Sequence, residues 1–466
     1  MTESKRTPLI IGAGPAGLTA ALRLAERGVT PRVYEATGCV GGLARTPRNG
    51  DWRVDPGGHR FFTKSEEVLD LWNSLLPVDQ WISVPRRSAM LVNGEYVRYP
   101  LVGRDLLTQL GFGRGLYGLG SLTWFRMRRG IGFVDQSASF REWGTHEFGR
   151  YWYNLFFDGY VRKTWQANPD DIASDWANQR IKPITWRRRR PLDGADQDVF
   201  RYPRLGPGQL WEAAAAALAD VGAAPSLDVR VVGAHFDGRD WTVKLHNGDT
   251  ASGDALFSSM PLQSLVECLQ PKPPRSIRAA AATLKHRGLI TVAVAIRKHL
   301  DIPYHWVYTP GKAFQAGRIQ NYGLWSSGLT PDGWDGTFLG FEYFVGPNAE
   351  LLAADDERLR AVVEDDLRAL GVDDTDVEHV MIVRSRFAYP IYDPVRDRSV
   401  GRIRDFLRRN YPSLHPIGRN GMHRYDNQDH AMLSAMHSVD RYFGGNVDPW
   451  QVNTDRGYHE AGLRKD

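Results

Sequence analysis

The sequence predicts an α/β fold: a discontinuous Rossmann-type layer with a helical insertion and an antiparallel β-sheet domain set between its pieces. Three observations predict it. The chain opens with a strand, a glycine turn, a helix and a second strand, all by residue 35. Residues 227–266 read as short alternating strands broken by D-G, N-G and S-G pairs. Around this run lie an aromatic-rich, helix-like stretch upstream and, from about Pro271 onward, strand-like runs such as GLITVAVAI and GTFLGFEYFVG. A chain of 466 residues is too long for one ordinary core, so separate substructures are expected.

The opening element is the most specific. PLII (8–11) is a short apolar strand, and Gly12, Gly14 and Gly17 follow it as G-x-G-x-x-G. LTAALRLAERG (18–28) has helical spacing, and TPRVYE (30–35) is a second strand ending at Glu35. Glycines at this spacing bring backbone N–H groups and a helix N-terminus onto a pyrophosphate. Glu35, eighteen residues beyond Gly17, is placed to accept hydrogen bonds from a ribose. Strand, glycines, helix, strand and acid together predict a dinucleotide cofactor.

Composition excludes several classes. Hydrophobic residues make up 42% and charged residues 24%, as in soluble globular proteins. A net charge of +5 suits an anionic ligand and gives no sign of a nucleic-acid partner. Cys39 and Cys268 cannot form a disulfide framework, which predicts a reducing, cytoplasmic setting. The N-terminus MTESKRTPLIIGAG leaves no room for a signal peptide, and no apolar run reaches transmembrane length. The stretch Leu110–Phe133 reads as a packed helical region with a basic edge rather than a peripheral membrane contact. No cluster with metal-ligand spacing is visible, so no metal is expected.

After Glu35 the chain runs ATGCVGGLARTPRNGDWRVDPGGHRFF. Gly41 and Gly42 offer a second close backbone approach, with Arg45 beside them for a diphosphate. A simple NAD enzyme has no need of this second segment, so FAD is the expected cofactor. The pattern resembles the large flavoprotein group that includes amine oxidases, desaturases, protoporphyrinogen oxidases and UDP-galactopyranose mutases. That resemblance implies an extended, buried FAD, with Gly58 and His59 of GGHRFF against its ring system. It also implies the division of the chain. The FAD-binding domain would comprise 1–84, 204–270 and 409–466, the helical insertion 101–176, and the β-sheet substrate domain 85–100, 177–203 and 271–408.

Within that group the sequence is most similar to the UDP-galactopyranose mutases, in segments spread over most of the chain. FGRYWYNLFFDGYVRKTWQANPDDIASDWANQRI (148–181) resembles their G-Y-x-x-K-x-W element and a later arginine. VFRYPRLGPGQLWEAAAAAL (199–218), HWVYTPGKAFQAGRIQNY (305–322), RFAYPIYDP (386–394) and GRNGMHRYDNQDHAMLSAMHSVD (418–440) resemble further blocks. The resemblance implies that Arg180 and Arg318 grip a diphosphate. Tyr160, Trp165, Trp306, Tyr308, Tyr322, Tyr389 and Tyr425 would line the nucleotide and sugar pocket, with Gln197 in place of a family asparagine. Arg419 and Gln428 would face the flavin, with Asp429 beside them. Arg86 and Ser88 match a place where eukaryotic-type mutases contact NADPH.

The implied activity is interconversion of pyranose and furanose forms of a nucleoside diphosphate sugar, with reduced flavin N5 as nucleophile at the anomeric carbon. His59, Arg180 and Arg318 would be the catalytic residues. The chain is shorter than the eukaryotic-type mutases between Arg318 and Tyr322, and it lacks two residues near Tyr425. These departures leave the sugar and nucleotide open between UDP-galactose and related hexoses. Two other readings stay open: an FAD oxidoreductase of the amine oxidase or desaturase type, and a non-catalytic nucleotide-sugar-binding flavoprotein.

Overall fold

The computed structural model describes residues 6–129, 139–172, 184 and 199–453, with backbone alone at 128 and 129. Strand β1 (Leu9–Ile11), helix α1 (Pro15–Glu26) and strand β2 (Arg32–Tyr34) form the opening unit. Ile10 pairs in parallel with Val33 on one side and with Phe257 of the strand Leu256–Ser258 on the other. The strand Leu414–Pro416 adds to the far edge through Phe257 and His415, again in parallel. Three distant stretches of chain therefore build one four-stranded sheet. Beside it the strands Val231–Phe236, Trp241–Leu245 and Thr250–Gly253 form the expected antiparallel ribbon. Helix α1 buries Leu18, Ala21, Leu22 and Leu24 against Met432, Met436 and Val439 of the helix Gln428–Tyr442.

The second sheet has seven strands, in the order 377–390, 286–296, 337–345, 318–321, 306–308, 88–92 and 95–99. It is antiparallel except where Val307 pairs in parallel with Ala89. The strands His286–Ile296 and Thr337–Val345 are buried along their whole length, which explains their largely apolar character.

Several stretches pack differently from their expected pieces. The helices Arg275–Ala282 and Arg396–Asn410, expected with the substrate sheet, send Ile277, Ala281, Val400 and Ile403 into the core shared by Leu9 and Leu256. Conversely, Trp81–Pro85, expected largely with the cofactor piece, pairs with Val199–Pro203. Long-range burial decides both, and local pattern does not encode it.

Between residues 103 and 165 the described residues form the helices Gly103–Gln109, Phe112–Arg129, Phe140–Trp152 and Gly159–Trp165, with a π-helical turn at Tyr153–Asp158. Gly118 allows the Phe112–Arg129 helix to lie against Trp152, because a Cβ there would come within 2.2 Å of the indole nitrogen. Of the packed region expected at 110–133, residues 130–133 lie outside the described residues, and the helix up to Arg129 packs through that face. Its other face carries exposed Phe112, Tyr117, Trp124 and Met127.

Candidate active site

A cavity of about 1140 Å³ runs from the glycine turn to the seven-stranded sheet. It exceeds the usual span of small-molecule pockets, roughly 300–1,000 Å³, and so has room for more than one ligand. At one end, the backbone forms the walls. Gly17 lets α1 sit directly on the turn, since a Cβ there would lie 1.8 Å from the Gly12 carbonyl oxygen. Gly14 and Gly42 face each other, with only 3.1 Å between a Cβ on Gly42 and the Gly14 Cα. Gly41 does not line the cavity; its amide donates to the Ala13 carbonyl at 2.8 Å and joins the two glycine segments.

Glu35 lines this end but is already engaged. One carboxylate oxygen accepts from the Ala13 amide at 2.8 Å, and the other from the Thr37 amide and hydroxyl at 3.0 and 2.8 Å. The residue therefore also shapes the glycine turn. Arg45 donates to the Gly42 carbonyl at 2.7 Å and to the Arg384 carbonyl at 3.0 Å, tying the two halves of the cavity wall together. Burial lowers its pKa from the ordinary guanidinium value.

The middle of the cavity holds the G-G-H loop. Asp55 anchors its start: the Thr46 hydroxyl donates to one carboxylate oxygen at 2.8 Å, the Tyr202 hydroxyl to the other. The Tyr322 hydroxyl donates to the Asp55 carbonyl at 2.7 Å. Burial raises the Asp55 pKa to about 7. Gly58 lies flat on Trp306, where a Cβ would fall 2.6 Å from the indole ring. His59 follows with its Nε2 buried and unpartnered. Burial, helped by the nearby charge of Arg419, pushes the His59 pKa down to about 4, so the imidazole is neutral at pH 7. Across from it, Gln428 accepts from the Trp211 indole at 3.0 Å, while its own buried amide nitrogen has no partner. Arg419 donates to the carbonyls of Asp426 and Ala388 and lies over the Tyr425 ring at 4.9 Å.

At the far end, side chains from the seven-stranded sheet form the walls. Arg318 meets the fully buried Glu342 through Nε at 2.8 Å and Nη2 at 2.5 Å. Gln320 donates to the other Glu342 oxygen at 2.6 Å and accepts from the Trp306 indole at 3.3 Å. A continuous chain thus links Trp306, Gln320, Glu342 and Arg318. Burial opposes the Arg318 charge, but the Glu342 carboxylate more than offsets it, holding the guanidinium pKa well above its usual value. Tyr308 lines the cavity beside it, with Tyr160 edge-on behind at a centroid distance of 5.3 Å. Tyr389 and Tyr425 stack at 5.6 Å on the opposite wall.

Four expected pocket residues sit outside the cavity lining, Tyr160 behind Tyr308 among them. Tyr322 is 1% exposed and supports the Asp55 loop from beneath the sheet, so it does not face a ligand. Trp165 lies outside the cavity lining, with the buried Arg287 guanidinium 4.3 Å over its ring. Ser88 is buried in its strand, while Arg86 does reach the cavity with a buried, unpartnered Nε. Arg180 and Gln197 lie outside the described residues. Glu342 and Asp55 were not picked out from sequence. A signal existed for Glu342: it is the one charge in the strand TFLGFEYFV.

The profile of the flavin containing amine oxidoreductase family matches residues 15–415. The chain belongs to that family. FAD is its cofactor, and the residues present fit it: a cradle of facing glycines, a carboxylate at the β2 end, and unpartnered polar nitrogens on His59 and Gln428. Over 216 residues, 44% of this chain, it is 25% identical to a probable UDP-galactopyranose mutase of Klebsiella pneumoniae, spanning 52% of that protein. Over 169 residues, 35% of this chain, it is 27% identical to protoporphyrinogen oxidase 2, chloroplastic/mitochondrial, of Arabidopsis thaliana, spanning 33% of that protein. These matches cover about half and about a third of the curated relatives. The fold resembles a crystal structure of reduced UDP-galactopyranose mutase with a TM-score of 0.82, at 22% identity, across 96% of this chain and 98% of that one. At that identity the likeness is one of fold.

Proposed function

We propose that this flavoenzyme interconverts the pyranose and furanose forms of a nucleoside diphosphate sugar, UDP-galactose or a related hexose. The observation that carries the reading is Arg318. Its charge is secured by a buried carboxylate, its plane is fixed through Nε and Nη2, and its residue lines the far end of the FAD cavity. A guanidinium held in this way suits the oxygens of a diphosphate and stabilises charge that grows as the diphosphate leaves. Arg60, Arg86, Arg386 and Arg419 line the same cavity, and this positive lining disfavours a cationic amine as substrate.

FAD, when bound and reduced, supplies the nucleophile for the anomeric carbon. The other tasks fall to the chain. Arg318, assisted by Arg180, binds and orients the diphosphate. Tyr308 and Tyr389 border the sugar, and Trp306 backs the loop of Gly58 and His59. Neutral His59 positions ligand or cofactor through Nε2 and carries no charge at pH 7. Glu35, Gly12, Gly14 and Gly42 hold the cofactor's ribose and pyrophosphate. Arg86 is the proposed contact for NAD(P)H as reductant.

The test is turnover. Protein reduced with dithionite is incubated with UDP-galactose and related nucleotide sugars, and the pyranose and furanose forms are separated by chromatography. Interconversion that requires reduced flavin supports the reading. Net bleaching of oxidised flavin by an amine, with no interconversion of any sugar, overturns it.

A further inference from the structure

The helix Phe112–Arg129 has a face that the described residues leave largely exposed, with Tyr117 meeting Tyr151 edge-on at a centroid distance of 5.1 Å. Phe112 is 70% exposed, Leu116 49%, Tyr117 68%, Trp124 59% and Met127 63%. At 100° per residue these five side chains fall within an arc of about 140° on one side of the helix. The opposite side holds Gly115, Gly118 and Leu122, packed against Leu107, Trp152 and their neighbours. The apolar stripe is therefore not a frayed element. It is the outer surface of a docked helix, and contiguous exposed apolar area on a soluble domain marks an interaction site.

Charge identifies the occupant. Arg114 and Arg126 are exposed and border the stripe on its two sides, and the helix contains no acidic residue. From residue 103 to 129 the chain has five arginines and one acid, against a net charge of +5 for all 466 residues. A second copy of the chain is a poor partner, because a two-fold contact through this face would set arginine against arginine. Large aromatic and aliphatic side chains flanked by arginines are the pattern of a helix lying in a membrane interface, with its basic rim against anionic headgroups. No helix among the described residues is long and apolar enough to cross a membrane, so the contact would lie on the surface. We infer that this helix docks the protein onto an anionic lipid surface. The reading from sequence alone, a packed helical region with a basic edge, describes the inner face and the arginine rim but not the apolar outer face.

The experiment is flotation of the FAD-loaded protein with vesicles of phosphatidylcholine, with or without phosphatidylglycerol. Binding is expected to the anionic vesicles and to weaken with added salt. The double variant Phe112→Ser/Trp124→Ser should reduce it at least about tenfold, and Arg114→Glu/Arg126→Glu similarly. Val78→Ser, which removes an 85% exposed apolar residue elsewhere, should leave it unchanged. Flavin content and thermal midpoint of each variant confirm an intact fold. Equal binding to neutral and anionic vesicles, or no binding, overturns the inference. So does self-association in sedimentation velocity that the Phe112/Trp124 variant abolishes, because the face would then belong to a second copy.

Discussion

The two ends of the active-site cavity are built by different means. At the glycine-turn end the walls are backbone: facing glycines, the start of α1, and amides that Glu35 accepts from. At the sheet end the walls are side chains whose positions depend on one another, from Trp306 through Gln320 and Glu342 to Arg318. A backbone site tolerates loss of a side chain, because its shape is set by main-chain conformation. A side-chain network does not, because removing one member strands the charge of the next. Substitutions at the sheet end should therefore cost more.

The largest effect is expected at Glu342. Removing one partner of a buried pair leaves an uncompensated charge and costs about 3–5 kcal/mol. Glu342→Ala should lower stability by an amount near the bottom of that range, since Arg318 is 16% exposed and can turn toward the cavity. Denaturant unfolding measures it, and a loss below about 1 kcal/mol would mean the network is not cooperative.

Next comes Asp55, where the two ends meet. Burial lifts its folded pKa to about 7, well above the ordinary aspartate range, so the native state binds the proton more tightly than the unfolded chain. The stabilisation is fully present below the unfolded pKa and is lost as pH rises from about 4 to about 7. Asp55→Asn, which cannot titrate, should remove that slope from a plot of unfolding free energy against pH. A slope that persists in the variant would assign it to another group.

Arg318→Ala should lower turnover of a nucleoside diphosphate sugar at least about tenfold, or roughly 1.4 kcal/mol in barrier, with flavin content nearly normal. Arg318→Lys should recover little, since an ammonium cannot present two parallel donors. Wild-type turnover in the alanine variant would remove the diphosphate from the site.

The smallest effect belongs to Glu35. Glu35→Gln keeps an acceptor for the Ala13 amide but loses the charge, which should weaken FAD retention by about 1 kcal/mol. Flavin-to-protein absorbance after dialysis reports it. Loss of all flavin together with a stability change as large as that of Glu342→Ala would erase the contrast between the two ends.

What the sequence alone determined was the glycine-turn end of the cavity. Gly12, Gly14, Gly17 and Glu35 act within one contiguous β-turn-α-β unit, where spacing along the chain is spacing in space. The same holds for the Gly41–Arg45 segment and the G-G-H loop, whose glycines are required by close backbone approach. Tertiary structure decided the sheet end. Tyr322 and Trp165 look like ligand aromatics in a linear pattern. The first begins the short helix Tyr322–Trp325 and gives its hydroxyl to the Asp55 carbonyl, and Arg287 lies over the other. Glu342 reads as a lone charge in an apolar strand and acquires meaning only when register sets Arg318 opposite it. The Phe112 helix has apolar residues around much of its circumference, so its periodicity could not say which side is covered. Packing against Trp152 made that choice and left the other side facing outward. Local conformation is encoded by neighbours in sequence, whereas burial and charge pairing depend on residues brought together from far along the chain.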